Sequence, residues 1–233
     1  MRTAVYYADT DCLLDAARFE AARSAVSRGR REKTDRMRFP QSKRLSIGAG
    51  LLLMRAMSDA GLDPARSDTA EGEHGKPYLT AYPDMCFNLS HSGSVAMCVI
   101  ADAMTGCDIE RIGDARPEIA KRFFDGEEIR DIFGAEEPLR AMRFYRYWTL
   151  KESYIKCLGL GMGAALNSFR IRESETGISV LDGERVLPFS LMVPGCPDGY
   201  AAACCFAGAC PGAFETETVD LVNFIDKCVP SVV

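Results

Sequence analysis

Apolar positions along the chain follow two periods. Leu14, Phe19 and Ala22 set an amphipathic helix over Leu13–Ser27, and Ile47, Leu51 and Met54 set a second over Ser42–Ala60, which Gly61 stops. Thr3–Ala8 reads as a strand before them. Ala65–Gly75 is polar and loop-like, and strand patterns follow at Tyr78–Thr80, Met85–Leu89, Val95–Ala101 and Cys107–Glu110. Helical spacing returns at Ile119–Phe124, Glu127–Phe133 and Glu137–Leu158. The last third reverts to strands at Ser168–Arg172, Ile178–Leu181, Leu187–Met192 and Tyr200–Phe206, divided by Gly and Pro turns. Thr216–Leu221 is read as a final strand and Val229–Val233 as a loose tail. The class is mixed α/β (α+β), each half running from helix-rich to strand-rich, with no residue-level repeat.

A chain of 233 residues can bury a core as one large domain or two small ones. Its 47% hydrophobic and 26% charged content is that of an ordinary globular protein. A net charge of −5 argues against a general nucleic-acid binder. The charge is uneven, however. Arg28, Arg30, Arg31, Lys33, Arg36, Arg38, Lys43 and Arg44 crowd one stretch, either a solvated helix face or a cradle for a polyanion. The ten cysteines include no C-x-x-C, and two histidines do not complete a zinc finger. With no signal-like core at the N-terminus and no membrane-length apolar run, the thiols read as reduced, buried and cytoplasmic.

The candidate chemistry sits in three segments. Trp148, Glu152 and Lys156 recur every fourth residue of the longest helix, lining up an aromatic ring, a carboxylate and an ammonium. An intrahelical ion pair on a solvated face would look the same. In Gly106-Cys107-Asp108-Ile109-Glu110, extended backbone points Asp108 and Glu110 to one side and Cys107 and Ile109 to the other. Adjacent carboxylates repel unless a cation lies between them, so with Glu152 they could supply three oxygens to Mg2+; an exposed strand edge is the alternative. Phe87-Asn88-Leu89-Ser90-His91-Ser92-Gly93 is either a hairpin end or an anion site of imidazole, hydroxyls and turn amides.

These segments resemble the 4'-phosphopantetheinyl transferases, in particular the larger monomeric class typified by the surfactin-synthetase activator. Gly75-Lys76-Pro77-Tyr78, F-N-L-S-H-S, G-C-D-I-E and W-T-L-K-E-S-Y-I-K stand in the family's order and at similar separations. Arg122-Phe123-Phe124 with Glu127 and Glu128 is similar to a further family segment, and Cys107 departs from the usual Ile or Val. The resemblance covers about 30–163.

It implies two similar α/β subdomains related by a pseudo-two-fold, 1–104 and 105–222, with 223–233 as a tail and the ligand between them. It implies transfer of phosphopantetheine from coenzyme A to a serine of an apo acyl or peptidyl carrier protein, by a monomer without membrane or nucleic-acid partners. Asp108, Glu110 and Glu152 would hold Mg2+, with Glu152 as base and Lys156 neutralising the pyrophosphate. Lys76, Ser90 and His91 would meet the nucleotide's phosphates, and Arg44, Arg31 and Lys33 the 3'-phosphate. Gly159–Gly163 would cap the helix and shape the pantetheine cleft. Ile112–Phe124, with Arg116, Lys121 and Arg122, would face the carrier. A Mg2+-dependent phosphohydrolase or nucleotidyl transferase, a non-catalytic coenzyme A-binding module, and an interaction protein with merely solvated charges are the competing readings.

Overall fold

The computed structural model describes residues 3–161, 165–175, 177–209 and 214–228. In chain order they form β1 (Thr3–Asp9), α1 (Ala16–Ala25), α2 (Arg28–Asp35), α3 (Pro40–Asp59), β2 (Thr69–Glu71), β3 (Pro77–Leu79), β4 (Cys86–Ser92), β5 (Val95–Ala101) and β6 (Thr105–Arg111). Then come α4 (Pro117–Phe123), α5 (Gly126–Phe133), α6 (Leu139–Leu158), β7 (Arg170–Ser174), β8 (Gly177–Asp182), β9 (Arg185–Val186), β10 (Phe189–Met192), β11 (Tyr200–Ala207), β12 (Phe214–Thr218) and α7 (Leu221–Cys228).

Two sheets carry the architecture, one in the order β12-β1-β5-β4 and the other β10-β11-β6. Alternation along the strands sorts the core into three layers. Tyr6, Cys98 and Ile100 pack under α3 with Leu51, Leu52 and Met57. Val5, Tyr7, Val99, Cys107, Ile109, Cys204 and Phe206 fill the space between the sheets. Ala203 and Cys205, on the other face of β11, pack with Leu150, Tyr154 and Cys157 of α6. A helix thus covers the outer face of each sheet, which hides strands that are apolar on both sides.

The pattern located most elements, and capping chemistry explains the differences. Asp15 accepts from Arg18 N at 2.8 Å, so α1 begins at Ala16 rather than Leu13. Ser27, expected to end that helix, accepts from Arg30 N and starts α2, which the apolar pattern did not signal because only Thr34 of it is buried. Asp220 accepts from Val222 N and Asn223 N, so the last strand closes at Thr218 and α7 begins. β12 pairs parallel with β1, and Leu221 and Ile225 enter the core under α3. The 214–228 segment therefore returns to the first sheet, in place of closing the second subdomain and trailing as a tail. The apolar spacing Leu221, Phe224, Ile225 carried that signal. Val229–Val233 lies outside the described residues. Among the described residues, no helix is long and apolar enough to cross a membrane.

Candidate active site

The two sheets meet at β4 and β6 through side chains instead of a backbone ladder. Asn88 Oδ1 accepts from Cys107 N at 2.9 Å, Ser90 Oγ from Ile109 N at 3.3 Å, and Ser92 Oγ from Arg111 N at 3.1 Å. The motif N-L-S-H-S places a polar group at every second residue, the spacing a strand needs to stitch its neighbour. The same hydroxyls donate onward. Ser90 Oγ reaches Asp108 Oδ1 at 2.8 Å and Ser92 Oγ reaches Glu110 Oε2 at 2.6 Å. Both acids of β6 are thereby held on the face away from Cys107 and Ile109.

That face looks at α6, and Gly106 sets the separation. A Cβ on Gly106 would lie 2.2 Å from both Ser153 O and Cys157 N, so strand and helix backbones touch there. The contact brings Lys156 Nζ to 2.5 Å from Asp108 Oδ1 and 3.1 Å from Ser90 Oγ. Burial is the largest single influence on Lys156 and would lower its pKa, but Asp108, Cys107 and Glu152 together outweigh it, and the net shift is upward. Glu152 is pushed above the usual glutamate value by burial and then by Asp108 and Glu110, against the pull of Lys156. Burial also raises Glu110, with Asp108 adding and Ser92 and Lys156 opposing.

Three carboxylates and one ammonium leave an excess of negative charge. Asp108 Oδ2 is buried with no hydrogen-bond partner. An unmet oxygen and two destabilised carboxylates match what a divalent cation would satisfy. Among the described residues no three such side chains are drawn together into a ready-made cage.

Alongside lies a recess of about 350 Å³, lined by Lys76, Leu89, Phe123, Trp148, Glu152 and Lys156 among others. Its aromatic wall is a packed unit: Phe123 meets Trp148 edge-on at 5.9 Å, and Arg122 sits over Phe123 at 5.0 Å. Gly159 ends α6 in the left-handed conformation at φ 70°, as a C-cap, packed on the Lys76 stem; Gly163 lies outside the described residues. Lys151 points the other way. It is fully buried, 2.9 Å from Glu128, and donates to Leu166 O and Phe169 O. Its role is to tie α6 to α5 and the 166–169 turn.

The expected phosphate ligands separate. Ser90 and Lys156 stand in the acid cluster. The Lys76 ammonium is engaged by two carbonyls, Thr105 O at 2.8 Å and Cys157 O at 2.7 Å, while the residue also lines the recess. Arg31 Nη1 donates to Ser24 O and Val26 O, closing the end of α1. Lys33 is exposed on α2. Arg44 lines a different recess, beside Gly93 and Arg111. Arg30 belongs to the same basic run, read from the sequence as a possible polyanion cradle but not assigned to a particular phosphate. Burial lowers its pKa, and it lies close enough to His91 for the two to interact electrostatically. The surrounding protein also lowers His91, with Lys156 and Arg30 adding. Only packing against α3, where the Arg30 stem meets Gly50, distinguishes Arg30 from its neighbours, and a polar helix hides that in sequence.

The model of the 4'-phosphopantetheinyl transferase superfamily matches residues 104–205, which span β6, α6 and β11. A 4'-phosphopantetheinyl transferase of Bacillus subtilis is 34% identical over 207 residues, covering 87% of this chain and 92% of the relative. The 4'-phosphopantetheinyl transferase Sfp of Bacillus subtilis strain 168 is 31% identical over 79% of this chain and 83% of its own length. HetI, a 4'-phosphopantetheinyl transferase of a Nostoc species, is 30% identical over 76% of each chain.

Proposed function

The chain belongs to the 4'-phosphopantetheinyl transferase superfamily, in the surfactin-activator-like class, and we propose that it transfers phosphopantetheine from coenzyme A to a serine of an apo acyl or peptidyl carrier protein. The observation that carries this reading is the Asp108–Lys156 pair, with Glu110 and Glu152 close enough to act on it electrostatically, where Gly106 lets β6 touch α6.

The carrier's serine oxygen forms a bond to the β-phosphorus of coenzyme A, and the bond from that phosphorus to the bridging oxygen breaks, releasing 3',5'-ADP. The serine proton passes to Glu152, which lines the recess beside Lys156. Lys156 faces the charge that grows on the departing oxygen. Ser90 and Ser92 fix Asp108 and Glu110, so those acids do not reorient during the step. Asp108, Glu110 and Glu152 would hold Mg2+, which when bound supplies neutralisation of the pyrophosphate.

Arg30, as a cation, and His91, as a neutral imidazole able to donate a hydrogen bond, would face the nucleotide's phosphates, and Lys76 supports the pocket wall. Ile112–Phe124, with Arg122 and Phe123 at the rim of the recess, would face the carrier. Chromatography of a mixture of the protein, coenzyme A, Mg2+ and apo carrier tests the reaction. The expected result is 3',5'-ADP released only when carrier is present. Release of nucleotide without carrier would assign a hydrolase instead.

A further inference from the structure

Next to the acid cluster a second recess, of about 500 Å³, opens between the first turns of α3, the β4–β5 turn and the 198–200 turn. It shares Arg111 with the cavity that holds Ser92 and Glu110. Arg44 is one wall, its side chain only 17% exposed. Its Nε is buried with no hydrogen-bond partner, while its Nη2 stands 3.7 Å from Asp11 Oδ1. Arg111 forms a second wall. Its stem lies across Gly93, where a Cβ would come within 3.2 Å of the Arg111 Cδ and 2.5 Å of Tyr200 Oη. Gly93 also has φ 59°, so the close approach and the turn both require glycine. Tyr200 pairs with Arg111 across the ladder, and its Oη accepts from Ser94 N at 3.2 Å, which leaves its own proton free to donate.

Two guanidiniums and a phenol therefore line one recess. Asp11 and Asp198 line it as well, so its charge is balanced. A phosphate dianion would meet two carboxylates there, whereas a carboxylate carries half that charge, is repelled less and still matches a guanidinium fork. The recess adjoins Glu110, where an acceptor's hydroxyl must arrive if the proposed reaction is right. We propose that it receives a carboxylate side chain of the acceptor protein and so fixes the acceptor's orientation. This inference rests on the proposed transfer, and it gives Arg44 a role toward the acceptor instead of the 3'-phosphate.

The test is steady-state transfer by Arg111→Gln and Arg44→Gln. Each is expected to raise KM for the apo carrier about tenfold, the loss of one charge-assisted contact, and to leave KM for coenzyme A within about twofold. Arg44→Lys, which keeps the charge, is expected to recover part of the loss. Neutralising the carrier's acids one at a time should yield one carrier variant that is weak with the wild type and no weaker with Arg111→Gln. A rise in KM for coenzyme A in place of the carrier would overturn the proposal, as would unchanged constants in both variants. So would saturable binding of sodium acetate at the recess, followed by the Arg44 Nε–H resonance, with carrier KM unaffected. If the wild type transfers nothing, the proposed reaction fails on its own. Calorimetric binding of apo carrier to wild type and Arg111→Gln would then decide the recess separately.

Discussion

Gly106→Ala isolates the contact on which the site is built. The backbone there is not left-handed, so alanine carries no conformational strain and the added methyl is the whole perturbation. It would stand 2.2 Å from Ser153 O and Cys157 N and 2.8 Å from Lys156 C, all backbone atoms of α6 that no rotamer change can remove. Restoring ordinary contact of about 3.5 Å requires roughly 1.3 Å of separation between β6 and α6. The Lys156–Asp108 hydrogen bond, 2.5 Å long, does not survive a retreat of that size. Displacement of catalytic groups by about 1 Å costs on the order of a hundredfold in rate. Overpacking of this kind costs about 1–3 kcal/mol in stability, and for a chain of this length each kcal/mol lowers Tm by about 2–4 °C. Transfer rate by intact mass and thermal melting of the same sample measure both effects. A folded variant with wild-type rate and Tm would refute the claim that this approach sets the site.

Four further outcomes follow from the same geometry. Ser92→Ala should leave the fold intact and lower transfer by about tenfold, since Glu110 loses its 2.6 Å donor; a rate equal to wild type counts against the positioning role. Lys151→Met strands Glu128 in the core and should cost about 3–5 kcal/mol, while Lys151→Met with Glu128→Leu should recover most of it in a denaturant titration. Burial raises Glu128 above its ordinary 4.5 and lowers Lys151 below 10.5. Between 4.5 and the raised Glu128 value the folded chain holds the extra proton, so stability falls as pH rises there. Between the lowered Lys151 value and 10.5 the unfolded chain holds it, so stability rises with pH. Glu128→Gln should flatten the acid window of a Tm-against-pH curve and widen the basic one, because Lys151 loses the carboxylate that holds its pKa up. Arg122→Ala should raise KM for the carrier and spare coenzyme A binding; the reverse pattern in KM would remove 112–124 from the acceptor surface.

Periodicity reached the elements that bury a stripe or a face. α3 and α6 were legible because their apolar residues recur at helical spacing, and β5 because its apolar run has strand length. α2 was not, because eight mostly polar residues gain their helix from a Ser27 cap and from packing that no local pattern records. The parallel β1–β12 pairing was hidden as well, since nothing local links strands more than 200 residues apart. In the site, alternation along β6 correctly aimed Asp108 and Glu110 away from the core, and the four-residue repeat on α6 put Glu152 and Lys156 together. What alternation cannot supply is which cation remains free. Lys76 and Arg31 each donate to two carbonyls, and Arg44 lies in another recess, so a basic run does not by itself say which cations would meet a phosphate.

Intact mass of an apo carrier protein, after incubation with coenzyme A, Mg2+ and either wild type or Asp108→Ala, tests the central claim most directly. The account predicts one added phosphopantetheine with wild type and none with the variant. A carrier left unmodified by wild type, or modified equally by Asp108→Ala, would contradict it.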